Sequence, residues 1–456
     1  MQTDTTLIAA PPTQEIPGPH GLPWVGILPR LWRDRPLQFF LDATLRYGDV
    51  VRLEMGPHPV FLVTHPNDVQ RVLQENNRNY RKGYESVAPV LGNGLVTSEG
   101  EVWLRQRRLM QPAFHRSRIA AMAETMTRVT AATLERWEQV AERGEPLDVA
   151  QEMMRLTQQI IVQTMFGLHI PADPDRVGRA FDAALAFMNQ FFVMPIDALR
   201  RLPTPGNLRF QRAIRFLDKL IYRMIEERRA EGGQHDDLLS MLVHARDEET
   251  GEGMSERQLR DEIFTIYLAG HETTANGLAW TWYYLSKHPE LRRRLEAEVE
   301  QSLGGRTPTA EDARSLPYAR MLFDETLRLM PPAWMFARRS IEGDELGGYP
   351  IPADATVMLS PYVTHHRPDL WDNPEGYDPE RFAPGADEGR AKYAYFPFGG
   401  GPRLCIGNNF AFMEAQLILA MVAQRFHLDL VPGQTIQPKA IATLQAPRIL
   451  MTLRPR

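Results

Sequence analysis

The sequence has little cysteine: Cys405 is the single one among 456 residues. One thiol can form no intramolecular disulfide and cannot complete a cysteine-based zinc site, which excludes disulfide scaffolds and zinc-ribbon proteins. An excess of positive charge is also missing, because 52 Lys and Arg residues face 57 Asp and Glu residues and the net charge is -5. This balance argues against a surface that binds nucleic acid in general.

Long apolar runs are absent as well. The first residues, MQTDTTLIAAPPTQEIPGP, have neither the basic start and apolar stretch of a signal peptide nor a run long enough to cross a bilayer. We therefore expect a soluble, cytoplasmic protein without a membrane anchor. Prolines 11, 12, 17, 19 and 23 favour a stiff, extended start. Since no low-complexity linker or fixed-period repeat follows, we predict an extended lead-in at 1–15 and one domain at 16–456.

The apolar pattern is mostly helical. Apolar residues recur every three or four positions over much of 67–229, and a further strong helix is predicted at 409–426. Strand-like runs occur at 50–55 and 60–63, and others follow a double proline and close the chain. These patterns predict a mainly α protein with minor β, its strands collected near both ends.

One predicted helix is unusually long. It begins near Met254, where Ser255 and Gln258 form a capping box, and the next proline is Pro289. A helix of about thirty residues would span about 45 Å, enough to cross the whole molecule.

The surroundings of Cys405 are unusual for a buried thiol. Three glycines, a proline and an arginine precede it in FGGGPRLCIG, and a helix begins just after it. Glycine lets the backbone approach a flat ligand closely, and a helix N-terminus favours a thiolate. Such a thiolate is a good ligand for haem iron. A small buried hydrophobe or a catalytic nucleophile are the alternatives, but neither explains the glycines, and no signature places a His base beside the loop.

The loop resembles the haem-binding motif FxxGxRxCxG of the cytochrome P-450 family. The matching residues are Phe398, Gly401, Arg403, Cys405 and Gly407. The resemblance implies that Cys405 is the axial iron ligand, that Phe398 shields the sulfur, and that Arg403 pairs with a haem propionate.

A second match lies midway along the long helix. Ala269 to Thr274 read AGHETT, which is similar to the AGxET[TS] pattern of the family. Ala269 and Gly270 would give a flat surface over a porphyrin, and a Thr hydroxyl could take a carbonyl from the helical ladder and open a kink. The resemblance implies proton delivery by Glu272 and Thr273. A solvated helix face is the alternative, although the flanking residues are apolar.

Further matches follow the family order. Glu325 and Arg328 form an ExxR pair, and Arg381 of a PERF segment is its implied third member in a buried network. Trp103 and Arg107 are four residues apart, and with Arg338, beside Arg339, they are implied to contact the propionates.

The resemblance, which runs from about residue 16 to the end, implies a bacterial-type haem-thiolate monooxygenase. Haem b would lie between the long central helix and the cysteine-loop helix, and one oxygen atom of dioxygen would enter a hydrophobic substrate such as a terpenoid or fatty acid. Candidate pocket segments are 84–95, 181–193, Tyr267, Ala269, 333–336 and the turn near Leu444, although the stripe at 181–192 could equally be packing core.

The resemblance also implies partners. Since no reductase-like segment follows the C-terminal strands, we expect electrons from a separate ferredoxin or flavodoxin with its reductase, bound near Arg105, Arg108, Lys392 and Arg403, and we expect a monomer. Two alternatives are a non-catalytic haem-binding sensor or carrier and a peroxide-using haem enzyme. The pair Glu272 and Thr273 argues against both, because neither needs an acid and an alcohol aimed at dioxygen.

Overall fold

The computed structural model describes residues 15–22, 26–27, 31, 35–55, 59–84, 87–167, 174–193, 202–230 and 237–456. These residues form two compact units, each built from several chain segments. The sheet unit comprises Met1–Gly83, Met335–Pro374 and Arg390–Arg403, and the helical unit comprises Tyr84–Trp334, Glu375–Gly389 and Leu404–Arg456. The predicted extended lead-in lies outside the described residues except for Glu15, and the single domain at 16–456 stays a prediction.

Helices dominate the described chain, as the apolar pattern predicts. In chain order they are α1 (Pro36–Tyr47), α2 (Pro66–Gln70), α3 (Ala88–Leu91), α4 (Gly100–Met110), α5 (Arg116–Glu142), α6 (Val149–Phe166), α7 (Pro174–Val193), α8 (Pro205–Ala230), α9 (Leu238–His244), α10 (Glu256–Lys287), α11 (Pro289–Leu303), α12 (Pro317–Leu329), α13 (Pro361–His365) and α14 (Asn408–Arg425). None of the described helices combines the length and the apolar character needed to cross a membrane.

The strands are short. They are β1 (Val50–Glu54), β2 (Pro59–Val63), β3 (Tyr80–Lys82), β4 (Leu147–Asp148), β5 (Phe336–Ser340), β6 (Asp344–Leu346), β7 (Tyr349–Ile351), β8 (Thr356–Leu359), β9 (Phe426–Leu430), β10 (Lys439–Ala440), β11 (Leu444–Gln445) and β12 (Leu450–Pro455). The strand β4 departs from the predicted placement near the chain ends. Its two residues pair with β12, which explains a strand between two long helices.

The sheet unit contains a five-stranded sheet in the order β1-β2-β8-β5-β3, in which the pair β2 and β8 is parallel and the other pairs are antiparallel. The predicted strand-like runs at 50–55 and 60–63 are confirmed as β1 and β2, which pair antiparallel. Residues Phe61, Val357 and Leu359 are buried in its core. In β5, Arg338 pairs with Lys82 of β3 and with Val357 of β8, which fixes the face on which its side chain lies.

The helical unit is organised around α10. The Ser255 hydroxyl accepts from the Gln258 N–H at 3.2 Å and caps the first turn, as predicted, and Pro289 begins the next helix. Thirty-two residues give α10 a length of about 48 Å. It packs against α6, α12 and α14. Because α10 is surrounded in this way, most of its side chains are buried, and its sequence is apolar on nearly all sides.

Candidate functional site

Gly401 of the cysteine loop lies in a turn that requires glycine. Gly401 has a φ of +61°, and a Cβ there would lie 1.8 Å from the carbonyl oxygen of Leu73, so no other residue fits. Its N–H donates to the Tyr393 hydroxyl at 3.1 Å, and that hydroxyl donates to Gln74 at 3.0 Å. Two other predicted site residues, Phe398 and Arg403, flank Gly401 in this tight turn. Both are half-buried.

The sheet unit also holds Arg338. Its side chain is 7% exposed and donates to the Ala337 carbonyl at 2.9 Å, and it forms no ion pair with a carboxylate in the part of the chain that the structure describes. The neighbouring Arg339, by contrast, pairs with Asp354 at 2.5 Å. A buried guanidinium in this setting fits a bound anionic group, because burying a cation without a counter-charge is costly.

Cys405 lies three residues before the first residue of α14, in the helical unit, and its thiol is exposed. Gly407 lies beside the sulfur, since a Cβ there would be 4.0 Å from it, an ordinary van der Waals distance. Nearby, Nη1 of Arg107 donates to the Leu404 carbonyl at 3.1 Å. Burial lowers the pKa of Arg107, and a negative charge on Cys405 opposes that shift. The guanidinium stays charged and, with the helix N-terminus, favours the thiolate.

Trp103 is half-buried on α4, one turn before Arg107, so the two predicted partners share a helix face. For Arg107 no carboxylate partner is found among the described residues, as for Arg338. Both arginines therefore fit an acidic ligand group such as a propionate.

The middle of α10 is open at one place. From Leu259 to Trp282 every residue is buried except Ala269, Gly270 and Thr273. These three positions lie on one side of the helix, because 269 and 273 are one turn apart. The Thr273 hydroxyl donates to the Ala269 carbonyl at 2.8 Å, the predicted bond to the helical ladder, while the helix continues without a break. The opening is lined by small residues and fits a flat group.

Glu272 lies beside this open face on α10, and its carboxyl contacts the hairpin of β10 and β11. Its side chain is buried, and its Oε1 accepts from the Thr443 hydroxyl at 2.6 Å and from Nε2 of Gln445 at 2.7 Å. Burial raises the pKa of Glu272, the two donors lower it, and the negative charge of Asp182 adds to the rise. Net, the carboxyl keeps its proton to a higher pH than a free glutamate, which suits a general acid.

Thr443 and Gln445 are functional candidates that the sequence pattern did not identify. They alternate with the buried Leu444. Such alternation is a weak signal for a short strand whose polar face contacts another part of the fold. His271, next to Glu272, is buried, and burial lowers its pKa to about 4. Its ring therefore stays neutral.

The predicted ion network behind the cysteine loop is confirmed within the helical unit. Glu325 and Arg328 have no exposed side-chain surface, and Nε of Arg328 donates to Oε2 of Glu325 at 2.8 Å. A second bond of 2.8 Å joins Nη2 to Oε1, so the pair is bidentate. Arg381 is 3.4 Å from the same carboxylate, and the Asp378 N–H donates to it at 2.9 Å.

Each unit contains features that fit a haem group. The helical unit supplies an exposed thiol at a helix N-terminus, a half-buried cation and a small-residue opening on its central helix. The sheet unit supplies a close-packed glycine turn and a buried cation.

Comparison with known proteins agrees. The cytochrome P450 family model matches residues 16–453. A protein named cyclooctatin synthase, from Streptomyces melanosporofaciens, is 40% identical over 96% of this chain and 95% of its own length. Cyclooctat-9-en-7-ol 5-monooxygenase, from the same organism, is 38% identical over 92% of this chain and 90% of its own. The crystal structure of the cytochrome P450DA heme domain superposes with a TM-score of 0.89, at 28% identity, over 97% of this chain and 98% of that one.

The chain therefore belongs to the cytochrome P450 family. It is a monooxygenase with haem b as its cofactor, and it needs dioxygen, a hydrophobic substrate and a redox partner. The predicted family, the mainly α fold with minor β and the predicted enzyme class are confirmed.

Proposed function

We propose that this enzyme oxidises a terpenoid-class substrate, with Cys405 as the iron ligand and with Glu272 and Thr273 delivering protons. The observation that carries the proposal is the pairing on α10 of an open face, at Ala269 and Thr273, with the buried acid Glu272 directly before Thr273. The bound haem supplies the activation of dioxygen and the insertion of one oxygen atom into a C–H bond.

The remaining site residues hold the cofactor. Arg107 and Arg338 would pair with the propionates, because both are cations whose surroundings contain no carboxylate partner among the described residues. Trp103 and Arg403 complete that set through their N–H groups. The residues that would hold the haem by close packing are Phe398, Gly401, Gly407, Ala269 and Gly270.

Thr273 and Glu272 divide the proton transfer between them. The Thr273 hydroxyl donates to the Ala269 carbonyl, so one of its lone pairs can accept from a water at the open face. Glu272, whose pKa is raised by burial, gives its proton to that water and regains one from the solvent side. Two such deliveries, with two electrons, convert dioxygen and substrate into oxidised product and water.

The substrate class follows from relatives and lining together. Cyclooctat-9-en-7-ol 5-monooxygenase is named for a terpenoid alcohol, and the segment at 84–95 contributes the buried Val87, Val90, Leu91 and Leu95. On α7, Phe181 stacks on Tyr267 with ring centroids 3.4 Å apart. That end of the 181–193 stripe is thus packed against α10, and the candidate pocket segments are apolar, as suits an apolar substrate.

The finer partner assignments are proposals too. A ferredoxin or flavodoxin with its reductase is the electron donor, and the chain acts as a cytoplasmic monomer. Of the basic residues expected to attract that donor, Arg108 pairs with Asp247 at 3.1 Å and Arg105 lies 3.6 Å from Glu252. Their charges are partly compensated within the chain, so salt should slow partner association only modestly.

Replacing Thr273 by alanine tests the proton path. Thr273→Ala should keep the haem spectrum and the substrate-induced spin shift, because the side chain touches neither Cys405 nor the ion network. Product per electron pair should fall by about tenfold or more, since general-acid positioning contributes about 10²–10⁴-fold. The lost electrons should appear as hydrogen peroxide, formed from dioxygen, two electrons and two protons.

The matched control is Thr130→Ala on α5, which removes a buried hydroxyl bonded in the same way, to the Met126 carbonyl at 2.7 Å. Product and peroxide are measured together in both variants and the wild type. Equal coupling in all three proteins would remove Thr273 from the mechanism.

A further inference from the structure

The segment at 443–446 is fastened to α10 by three hydrogen bonds. Two are the bonds from Thr443 and Gln445 to Oε1 of Glu272, and the third runs from the Ala446 N–H to Oδ1 of Asn276 at 2.7 Å. Asn276 is one turn after Glu272 and donates to the Glu272 carbonyl at 2.8 Å. Both acceptors therefore lie on one side of the helix, next to the open face of Ala269 and Thr273.

The same segment is fastened on its other side. The Leu444 N–H donates to the Pro332 carbonyl at 2.9 Å, and Nε1 of Trp334 donates to the Ile441 carbonyl at 2.8 Å. The Leu444 side chain is fully buried between the two donors to Glu272. The hairpin of β10 and β11 thus has little freedom, and its two polar side chains have a fixed position relative to α10.

This geometry sets the orientation of the acid. Both donors reach the same carboxyl oxygen, Oε1, so Oε2 is the oxygen that can carry and release the proton. A buried carboxyl without donors would turn toward any available partner, because an unsatisfied buried acceptor is costly. Two fixed donors hold one rotamer, and a hydroxyl and an amide remain donors whatever the charge on Glu272.

We propose that Thr443 and Gln445 are positioning residues for proton delivery, holding Oε1 of Glu272 so that Oε2 gives its proton to the water at the Thr273 hydroxyl. The inference rests on the proposed function of Glu272 and Thr273. It makes the β10–β11 hairpin, which carries the candidate substrate residue Leu444, part of the proton path. Substrate shape and coupling are then linked through one short segment.

The test compares Thr443→Val with Thr443→Ser. The valine variant keeps the volume and loses the hydroxyl, whereas serine keeps the donor. Product per electron pair should fall about tenfold for valine, which corresponds to about 1.4 kcal/mol, the size of one intramolecular hydrogen bond, and serine should restore most of it. Haem content and the substrate dissociation constant, read from the spin shift, should stay within about twofold of wild type, since a tenfold change would mean about 1.4 kcal/mol of lost binding.

Two controls give the result its meaning. Thr452→Val removes an exposed threonine hydroxyl from β12, whose bond to the Asp429 carbonyl is 3.3 Å long, and should couple as wild type does. In a Glu272→Gln background, Thr443→Val should add no further loss, because it acts through the acid that is already gone. If Thr443→Val fails to load haem, Gln445→Leu, which removes the other donor to Oε1, takes its place in the same experiments.

The outcomes separate the two proposals. Normal coupling in Thr443→Val, or a full additional loss in the Glu272→Gln background, overturns the positioning role and leaves the relay intact. Normal coupling in Glu272→Gln itself overturns the relay, and the positioning role with it. Loss in valine, rescue by serine and non-additivity with Glu272→Gln together support the inference.

Discussion

Cys405→Ser should abolish the red-shifted Soret band of the reduced carbon-monoxide complex, together with all monooxygenase turnover. The thiolate gives that band its position by donating electron density to the iron, and a serine hydroxyl is not ionised at neutral pH. The chain has no second cysteine that could replace it. The measurement is the difference spectrum of the reduced protein with and without carbon monoxide, on samples matched for haem content.

Leu404→Ser provides the matched control for this spectrum. Leu404 precedes the ligand, and its side chain is exposed, so the same serine is introduced one residue away. Only its carbonyl, which the substitution keeps, contacts Arg107. The band should persist in Leu404→Ser. A thiolate-type band in Cys405→Ser would show that the ligand assignment is wrong.

Arg328→Ala should eliminate folded, haem-loaded protein. The substitution leaves the Glu325 carboxylate buried with one cation, Arg381, at 3.4 Å in place of a bidentate partner at 2.8 Å. Removing one partner of a buried ion pair costs about 3–5 kcal/mol, a large share of the 5–15 kcal/mol that stabilises a typical domain. Haem content of the purified protein and its unfolding temperature measure the effect.

Arg294→Ala tests whether the burial of the pair is what matters. Arg294 pairs with Glu380, next to Arg381, but both side chains are about half exposed. An exposed pair contributes at most about 1 kcal/mol, so this variant should load haem and unfold almost as wild type does. Ordinary holoprotein from Arg328→Ala would contradict the structural role given to the network.

Local signals predicted much of this fold. The capping residues Ser255 and Gln258 and the stop at Pro289 located α10 to within about two residues at each end, because helix ends are set by nearby side chains. The glycines before Cys405 indicated a close approach of the backbone to a flat ligand, and at Gly401 the structure shows a close approach to the Leu73 carbonyl in a turn with positive φ. The order of the motifs identified the family because each requires specific residues at fixed spacing.

Contacts between distant segments could not be predicted in this way. Glu272 and Thr443 are 171 positions apart, and nothing in either local sequence indicates that the acid meets this hairpin. Arg338 and Arg339 differ only in the face of β5 on which they lie, and pairing with β3 and β8 decides that face. Arg108 looked free to meet a partner until the fold placed Asp247 beside it.

Turnover under isotopically labelled dioxygen tests the central claim most directly. The holoprotein is supplied with a ferredoxin, its reductase, reducing equivalents and a panel of terpenoid hydrocarbons and alcohols, and products are analysed by mass spectrometry. We expect one labelled oxygen atom in each product molecule and the second in water, with no product when the electron supply is omitted. Product without label, or product formed equally well from hydrogen peroxide without electrons, would contradict the account.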